Sequence, residues 1–131
     1  MNFLPSLTWA YWCVLAAALL PYASAYLAKA GAFKPADNRA PREWGARLSG
    51  WRARANSAQA NGFEGLPFFI GAVVIAHQLG AAQPVLDTLA VGYVALRIVY
   101  IALYVAGRSA LRSAVWAIAF VVNIAILFAG R

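Results

Sequence analysis

The sequence predicts an all-α integral membrane protein, a four-helix bundle forming a single domain over residues 1–131, and three observations carry that reading. First, 63% of the residues are hydrophobic, only 11% are charged, and the mean hydropathy is +0.66. An ordinary soluble domain is roughly 25% charged, and a soluble chain this short has too little interior to hide so much apolar surface. Second, the apolar residues fall into four runs, each long enough to cross ~30 Å of hydrocarbon at ~1.5 Å per residue. Third, seven of the eleven basic residues (Lys29, Lys34, Arg39, Arg42, Arg47, Arg52 and Arg54) lie in or beside one polar connector. Cytoplasmic loops of membrane proteins carry this bias.

Helix one is expected over residues 7–30, because no charge occurs before Lys29. The Ala23-Ser24-Ala25 triplet resembles a signal-peptidase site, but no Lys or Arg precedes the run and the run exceeds the ~7–15 residues of a signal-peptide core. A retained helix is therefore expected. Gly31 to Gly50 holds Pro35, Asp37, Asn38, Pro41 and Gly45 among alternating charges and reads as a loop. It is long for a structureless connector, which points to local order. Helix two is expected over 51–79, polar at first and then apolar, with a kink at Pro67. A turn at Gly80 to Pro84, free of Lys and Arg, leads to helix three over 84–106. A basic turn from Gly107 to Leu111, bearing Arg108, precedes helix four over 112–130.

The connectors after helices one and three are basic and the middle one is not. This pattern places loops one and three in the cytoplasm and both termini in the opposite compartment. Trp9 and Trp12 then fit one aromatic belt, and Trp44, Trp51 and Trp116 the other. The formal charge of +7 is thus read as a topology signal and a contact for anionic lipid, with no nucleic-acid partner. The single cysteine, Cys13, has no partner for a disulfide or a metal site and reads as a small hydrophobe. His77, the one histidine, reads as a polar group at the far interface or bonded between helices. No metal-ligand spacing, phosphate loop or internal repeat is present.

The polar residues inside the spans are the informative ones. Arg54, Ser57, Asn61 and Glu64 follow steps of three, four and three, which set them on one face of helix two. Tyr93, Arg97, Tyr100 and Tyr104 form a similar face on helix three, and helix four offers Asn123. Counting rise from the basic ends puts Glu64, Arg97 and Asn123 all about 14–16 Å inward, near mid-bilayer. A charge at that depth costs at least ~2.5–3.5 kcal/mol, so it faces the bundle and finds a partner. The simplest partnership is a Glu64–Arg97 ion pair, with Asn61, Tyr100 and Asn123 supplying hydrogen bonds. An ion pair alone does not account for so many Arg and Tyr residues on two faces. A slot open to the basic side, suited to an anionic amphiphile or a peptide-like cofactor, accounts for them.

The run from Arg52 to Phe69, with Asn-x-x-Glu-x-x-Pro at Asn61, Glu64 and Pro67, resembles the signature of the MAPEG family, the membrane-associated proteins in eicosanoid and glutathione metabolism. Arg97-x-x-Tyr100-x-x-x-Tyr104, followed by Arg112 after a short turn, is a second match. The resemblance covers nearly the whole chain and implies four-helix subunits assembled as homotrimers. It also implies a thiol substrate, glutathione, held between subunits near the cytoplasmic side. Carried over, Asn61, Glu64, Arg97, Tyr100 and Tyr104 become binding residues, with Arg54 one turn further back. Arg112, with Arg108 as the alternative, becomes the residue that stabilises the thiolate, because a guanidinium lowers a thiol's pKa. Glutathione-using members place an arginine four residues before the Asn, and this chain has Ser57 there.

The resemblance implies two functions from different classes. One is a glutathione-dependent transferase or peroxidase acting on a lipophilic electrophile, without a metal. The other is a non-catalytic lipid-binding or scaffold protein using the same intersubunit cavity. A transporter or channel is a third class, disfavoured because the polar stripe ends near mid-bilayer with only His77 beyond it. The short loops fit a bacterial inner membrane.

Overall fold

The computed structural model describes residues 6–130, so the outermost residues of the expected domain lie outside the described range. Helix α1 spans Trp9–Lys29, and a 3-10 turn at Pro35–Arg39 leads to the short α2 at Pro41–Ala46. Helix α3 spans Gly50–Gln78, α4 spans Gln83–Val105, and α5 spans Ser109–Leu127. Helices one to four of the sequence reading are therefore α1, α3, α4 and α5. Among the described residues, these four are long and apolar enough to cross a membrane. The order expected in loop one is present as the 3-10 turn and α2. The expected boundaries shift most at α5, which begins at Ser109. Arg112 consequently lies in its first turn, where its N–H donates to the Arg108 carbonyl at 2.9 Å.

The helix ends show why these stretches start and stop where they do. Thr8 caps α1, its hydroxyl oxygen accepting the Tyr11 N–H at 3.2 Å. The Ala10 N–H donates to the Asp87 carboxylate of α4 at 2.9 Å, placing an anion at the positive end of α1. At the end of α4, Gly107 adopts φ +76°, a conformation that L side chains avoid. The Gly107 and Arg108 N–H groups then return to the Tyr104 and Leu103 carbonyls, at 3.1 and 2.9 Å. This compact turn lets α5 start at once.

Helix α3 is 29 residues long, about 43 Å at ~1.5 Å per residue, so its first turns overhang the apolar layer. That overhang carries two arginines that bind the ends of its antiparallel neighbours. One Arg52 guanidinium nitrogen donates to the Ala28 and Ala30 carbonyls of α1 at 2.9 and 2.7 Å. Arg54 Nε donates to the Val105 carbonyl of α4 at 3.0 Å. Each cation satisfies carbonyls that have no helical partner and meets the negative end of a helix dipole.

Small side chains let the helices approach. Ala10, Cys13 and Ala17 of α1 and Ala72 and Ala76 of α3 are buried around Phe69, Val73, Leu86 and Ile126. Small residues are the usual means of close packing in membranes, where apolar burial alone does not drive helices together. Helices α1 and α3 come close at Gly62, where an added Cβ would lie 2.8 Å from the Pro21 side chain of α1. Two of the six prolines sit inside continuous helix, Pro21 in α1 and Pro67 in α3. Outside, Trp9, Tyr26, Leu111 and Val121 are all more than half exposed. Such a surface suits lipid and would be a liability in water.

Candidate functional site

The polar faces predicted on α3 and α4 do meet. Arg97 is 6% exposed and donates to the Asn61 carboxamide oxygen at 2.8 Å. Its guanidinium lies 4.1 Å from the centre of the Tyr100 ring, one helical turn along α4. Tyr100 meets Tyr104 edge-on at 5.7 Å, and the Arg112 guanidinium lies 4.3 Å over the Tyr104 ring. The result is a ladder of two rings between two cations, Arg97–Tyr100–Tyr104–Arg112, running from the middle of the bundle to the basic end. Steps of three and four on α4 place its first three members on one stripe. The short turn at Gly107 brings Arg112 of α5 back over the last ring.

A cavity of about 160 Å³ opens beside the deep end of this ladder, with Asn61, Glu64, Arg97 and Asn123 in its wall. The three polar groups counted to one depth from sequence thus share one space. Tyr93 closes it from behind, stacked on Phe69 at 4.2 Å. Phe68, Trp116 and Phe120 supply the apolar part, Trp116 stacking on Phe120 at 5.3 Å. A second cavity of about 200 Å³ lies toward the basic end, lined by Asn61, Tyr100, Arg112, Ser113 and Trp116. Asn61 and Trp116 belong to both.

The expected Glu64–Arg97 ion pair does not form: no carboxylate lies within ion-pair distance of Arg97 among the described residues. Asn61 reaches the guanidinium first, and the Tyr100 ring covers one of its faces. Glu64, three residues further along α3, lies on the exposed edge of the cavity. Nor does Asn123 bond to Arg97. It is 3% exposed, and its carbonyl oxygen has no hydrogen-bond partner among the described residues. Among the described residues, Tyr100 contributes its ring to Arg97 and no hydrogen bond.

The remaining predicted residues fall at the basic end. Arg54 is held by the Val105 carbonyl and lies with Tyr104, Arg108 and Arg112 around a cleft of about 80 Å³. It does not line the two cavities along the ladder. Arg108 is confined to that cleft, whereas Arg112 borders both the cleft and the second cavity. Ser57 is exposed. Trp116, assigned from sequence to an interfacial belt, instead lines both cavities. Its position one turn beyond Arg112 was the available signal. Ser113, Phe68 and Phe120 had none, since apolar or small residues in a span look alike whichever way they face.

His77 belongs to a separate network at the far end. Its Nε2 is 2.8 Å from the Thr8 hydroxyl, its Nδ1 is 2.8 Å from the Val73 carbonyl, and its ring stacks on Tyr11 at 4.0 Å. This is the bonding between helices expected for it. Buried Phe69, Ala72, Val73 and Ala76 occupy α3 between Glu64 and His77, so the polar ladder has no continuation through the bundle. Cys13 is buried and unpaired, in keeping with its reading as a small hydrophobe. No group of residues suited to hold a metal ion occurs among the described residues.

No curated protein and no solved structure gives a significant match to the chain. The family model of MAPEG matches residues 9–130, which include the Asn61-Glu64-Pro67 motif and every member of the ladder. Four apolar helices, an arginine–tyrosine ladder leading to the basic end and a match over nearly the whole length agree, and the chain belongs to the MAPEG family.

Proposed function

We propose that this protein is a glutathione-dependent transferase or peroxidase acting on lipophilic electrophiles at the bilayer. The single observation that carries the reading is the ladder joining buried Arg97 to Arg112 beside two cavities. Glutathione carries two carboxylates, an ammonium group and a thiol. The donors Arg97, Asn61 and Arg112 suit its anionic groups, and Glu64, without an ion-pair partner among the described residues, suits its ammonium. Tyr100 and Tyr104 hold the two guanidinium groups in line. Trp116, which borders both cavities, offers an apolar wall beside Arg112 where a lipophilic substrate meets the sulfur.

In this mechanism Arg112 sits at the accessible end and stabilises the thiolate as the thiol loses its proton. The thiolate then attacks the electrophilic carbon to form a thioether, while a leaving group departs or an epoxide or activated double bond opens and takes up the proton. With a peroxide, the sulfur takes the attacked oxygen as a sulfenic acid, the O–O bond breaks, and the alkoxide leaves and is protonated to the alcohol. A second glutathione converts the sulfenic acid to the disulfide and water. Arg97 and Asn61 keep the peptide in place and do not touch the reacting atoms. Arg54 takes a supporting part, fixing the end of α4 that carries Tyr104. Three copies of the chain form the working unit, and an adjacent subunit covers the outward edge of Glu64. Charge at mid-bilayer depth costs at least ~2.5–3.5 kcal/mol if left facing lipid, which favours such a cover.

A second reading is a non-catalytic lipid-binding or scaffold protein using the same cavity. Ser57 favours it, because a small exposed hydroxyl stands where glutathione-using relatives place an arginine. One experiment separates the two. Glutathione is titrated into detergent-purified protein while binding heat and ultraviolet thiolate absorbance are recorded together. Arg112→Ala should lose the thiolate band and turnover while retaining most of the affinity, and Arg97→Ala should lose affinity itself. Equal losses of affinity in both variants contradict this division of roles. Absence of binding heat with the parent protein selects the lipid-binding reading.

A further inference from the structure

A buried carbonyl oxygen in a membrane span has few acceptable states. Water is scarce at that depth, and an acceptor left without a donor costs more than an ordinary hydrogen bond returns. Asn123 of α5 is in that state: it is 3% exposed, and its Oδ1 has no hydrogen-bond partner among the described residues. The other branch of the carboxamide is committed. The side chain bonds to the Tyr93 phenol of α4, and with the oxygen unpartnered that bond belongs to the nitrogen. An apolar side chain here would avoid the orphan oxygen altogether. An unpaired buried polar group therefore calls for a physical reason, and a ligand that brings the missing donor is one.

The surroundings narrow the chemistry of that ligand. Asn123 shares its cavity of about 160 Å³ with Asn61, Glu64 and Arg97. These four groups divide into two sets. Arg97 gives one N–H to the Asn61 oxygen at 2.8 Å, and the Asn61 amide nitrogen makes no hydrogen bond among the described residues. The guanidinium and that nitrogen are donors, suited to a carboxylate. Glu64 and the Asn123 oxygen are acceptors, and neither meets a donor among the described residues. A plain carboxylate would answer Arg97 and leave both acceptors unpaired. A group with a carboxylate and an ammonium answers all four. Its two charges also balance those of Arg97 and Glu64, so the filled site is neutral overall, as a low-dielectric depth favours. Asn61 and Trp116 border this cavity and the one beside Arg112, so an elongated ligand can occupy both.

We propose that Asn123 makes this site selective for thiols that carry a free α-amino group. Its Oδ1 and the Glu64 carboxylate together accept the ammonium of an amino acid head, whose carboxylate lies against Arg97 and Asn61. This rests on the thiol reading above and deepens it by naming the substrate class: a thiol joined to a zwitterionic head, in preference to thiols whose amine is acylated or absent. Asn123 is a binding residue and takes no part in the chemistry at Arg112.

The test compares three ligands by titration calorimetry on the detergent-purified protein. They are glutathione, glutaryl-cysteinyl-glycine (which lacks only the amino group) and γ-glutamyl-2-aminobutyryl-glycine (which has a methyl group in place of the thiol). The parent protein should bind the two amino-bearing ligands alike and the deaminated one about tenfold or more weakly. Asn123→Leu should cost the amino-bearing ligands about tenfold and leave the deaminated one nearly unaffected. Because the oxygen it removes is unpartnered, the unliganded variant should melt close to the parent. Asn123→Ala is the second variant, with the same expected pattern if the larger side chain does not fold. Equal affinity of the parent for glutathione and its deaminated form overturns the proposal and leaves the thiol reading standing. Equal weakening of all three ligands by the variants assigns Asn123 to packing and overturns it too. Binding of the methyl analogue with this dependence on Asn123, but no thiolate band for bound glutathione, supports the amino-head site and overturns the thiol chemistry. Absence of binding heat with all three ligands overturns both.

Discussion

At the residue scale, the buried Arg97 decides how the interior polar groups are arranged. A guanidinium has five N–H donors in a plane, so a single carboxylate is not its only solution. Here a carboxamide takes one donor and an aromatic face covers the plane, which leaves Glu64 free at the cavity edge. Asn61→Ala removes the partner of a buried cation and should destabilise the protein by about 1.5–3 kcal/mol. Combined with Arg97→Gln, the double change should be less harmful than the sum, with a coupling above about 0.5 kcal/mol in thermal unfolding in detergent. Glu64→Gln should couple to Arg97→Gln weakly. Strong Glu64–Arg97 coupling with none for Asn61 would show that the pairing is wrong. The residue types of the stripe were legible in the sequence from spacing alone. Which neighbour Arg97 selects was not, because Asn61 and Glu64 lie one turn apart on the same face.

At the element scale, α3 organises the bundle by its length and by its close approach to α1 at Gly62. Its overhanging first turns hold the ends of α1 and α4 through Arg52 and Arg54. Arg52→Ala and Arg54→Ala should each cost about 1–2 kcal/mol, from charge-assisted bonds to carbonyls at helix ends. The loss should be local, seen as faster amide exchange at residues 26–30 in the first variant and 102–106 in the second. Uniform acceleration through all helices would argue against capping. Gly62→Ala tests the other feature. A methyl group placed 2.8 Å from Pro21 forces α1 and α3 apart, at about 1–3 kcal/mol. An unchanged melting temperature for Gly62→Ala would mean that the contact is looser than described. The arginines of helix two were visible in the sequence. Their role in capping follows from where two other helices end, which no local pattern records.

At the scale of the whole molecule, nearly all Lys and Arg lie at one end of the bundle, with Arg97 alone at depth among the described residues. The positive-inside rule then predicts that loops one and three face the cytoplasm. Cysteines substituted for Asn38 and Gln83, in a chain whose Cys13 has been replaced by Ala, report the orientation. An impermeant maleimide added from outside should label position 83 and spare position 38, and the reverse pattern inverts the topology. Assembly is the other question at this scale. A 14.0 kDa unit with a carboxylate on its outer edge at mid-depth is better satisfied by neighbours than by lipid. Native mass spectrometry in a mild detergent should therefore give an oligomer, and the family resemblance implies that it is a trimer. A monomer or dimer would remove the intersubunit site.

The sequence by itself determined the membrane class, the four spans and the stripe of Asn61, Glu64, Arg97, Tyr100 and Tyr104. Composition and periodicity are properties of the chain read in one dimension, and a charge-free run of spanning length has few other outcomes in lipid. Its motifs also pointed to the family, which the match over residues 9–130 bears out. Tertiary structure decided the rest: Asn61 as the partner of Arg97, Arg54 as a helix cap, Trp116 as a cavity wall, and Asn123 as a carboxamide whose oxygen has no partner among the described residues. These depend on distances between residues far apart in the chain. A difference of one helical turn, ~5.4 Å, separates an ion pair from none. Periodicity assigns a side chain to a face, but only the packing of neighbouring helices decides what that face meets.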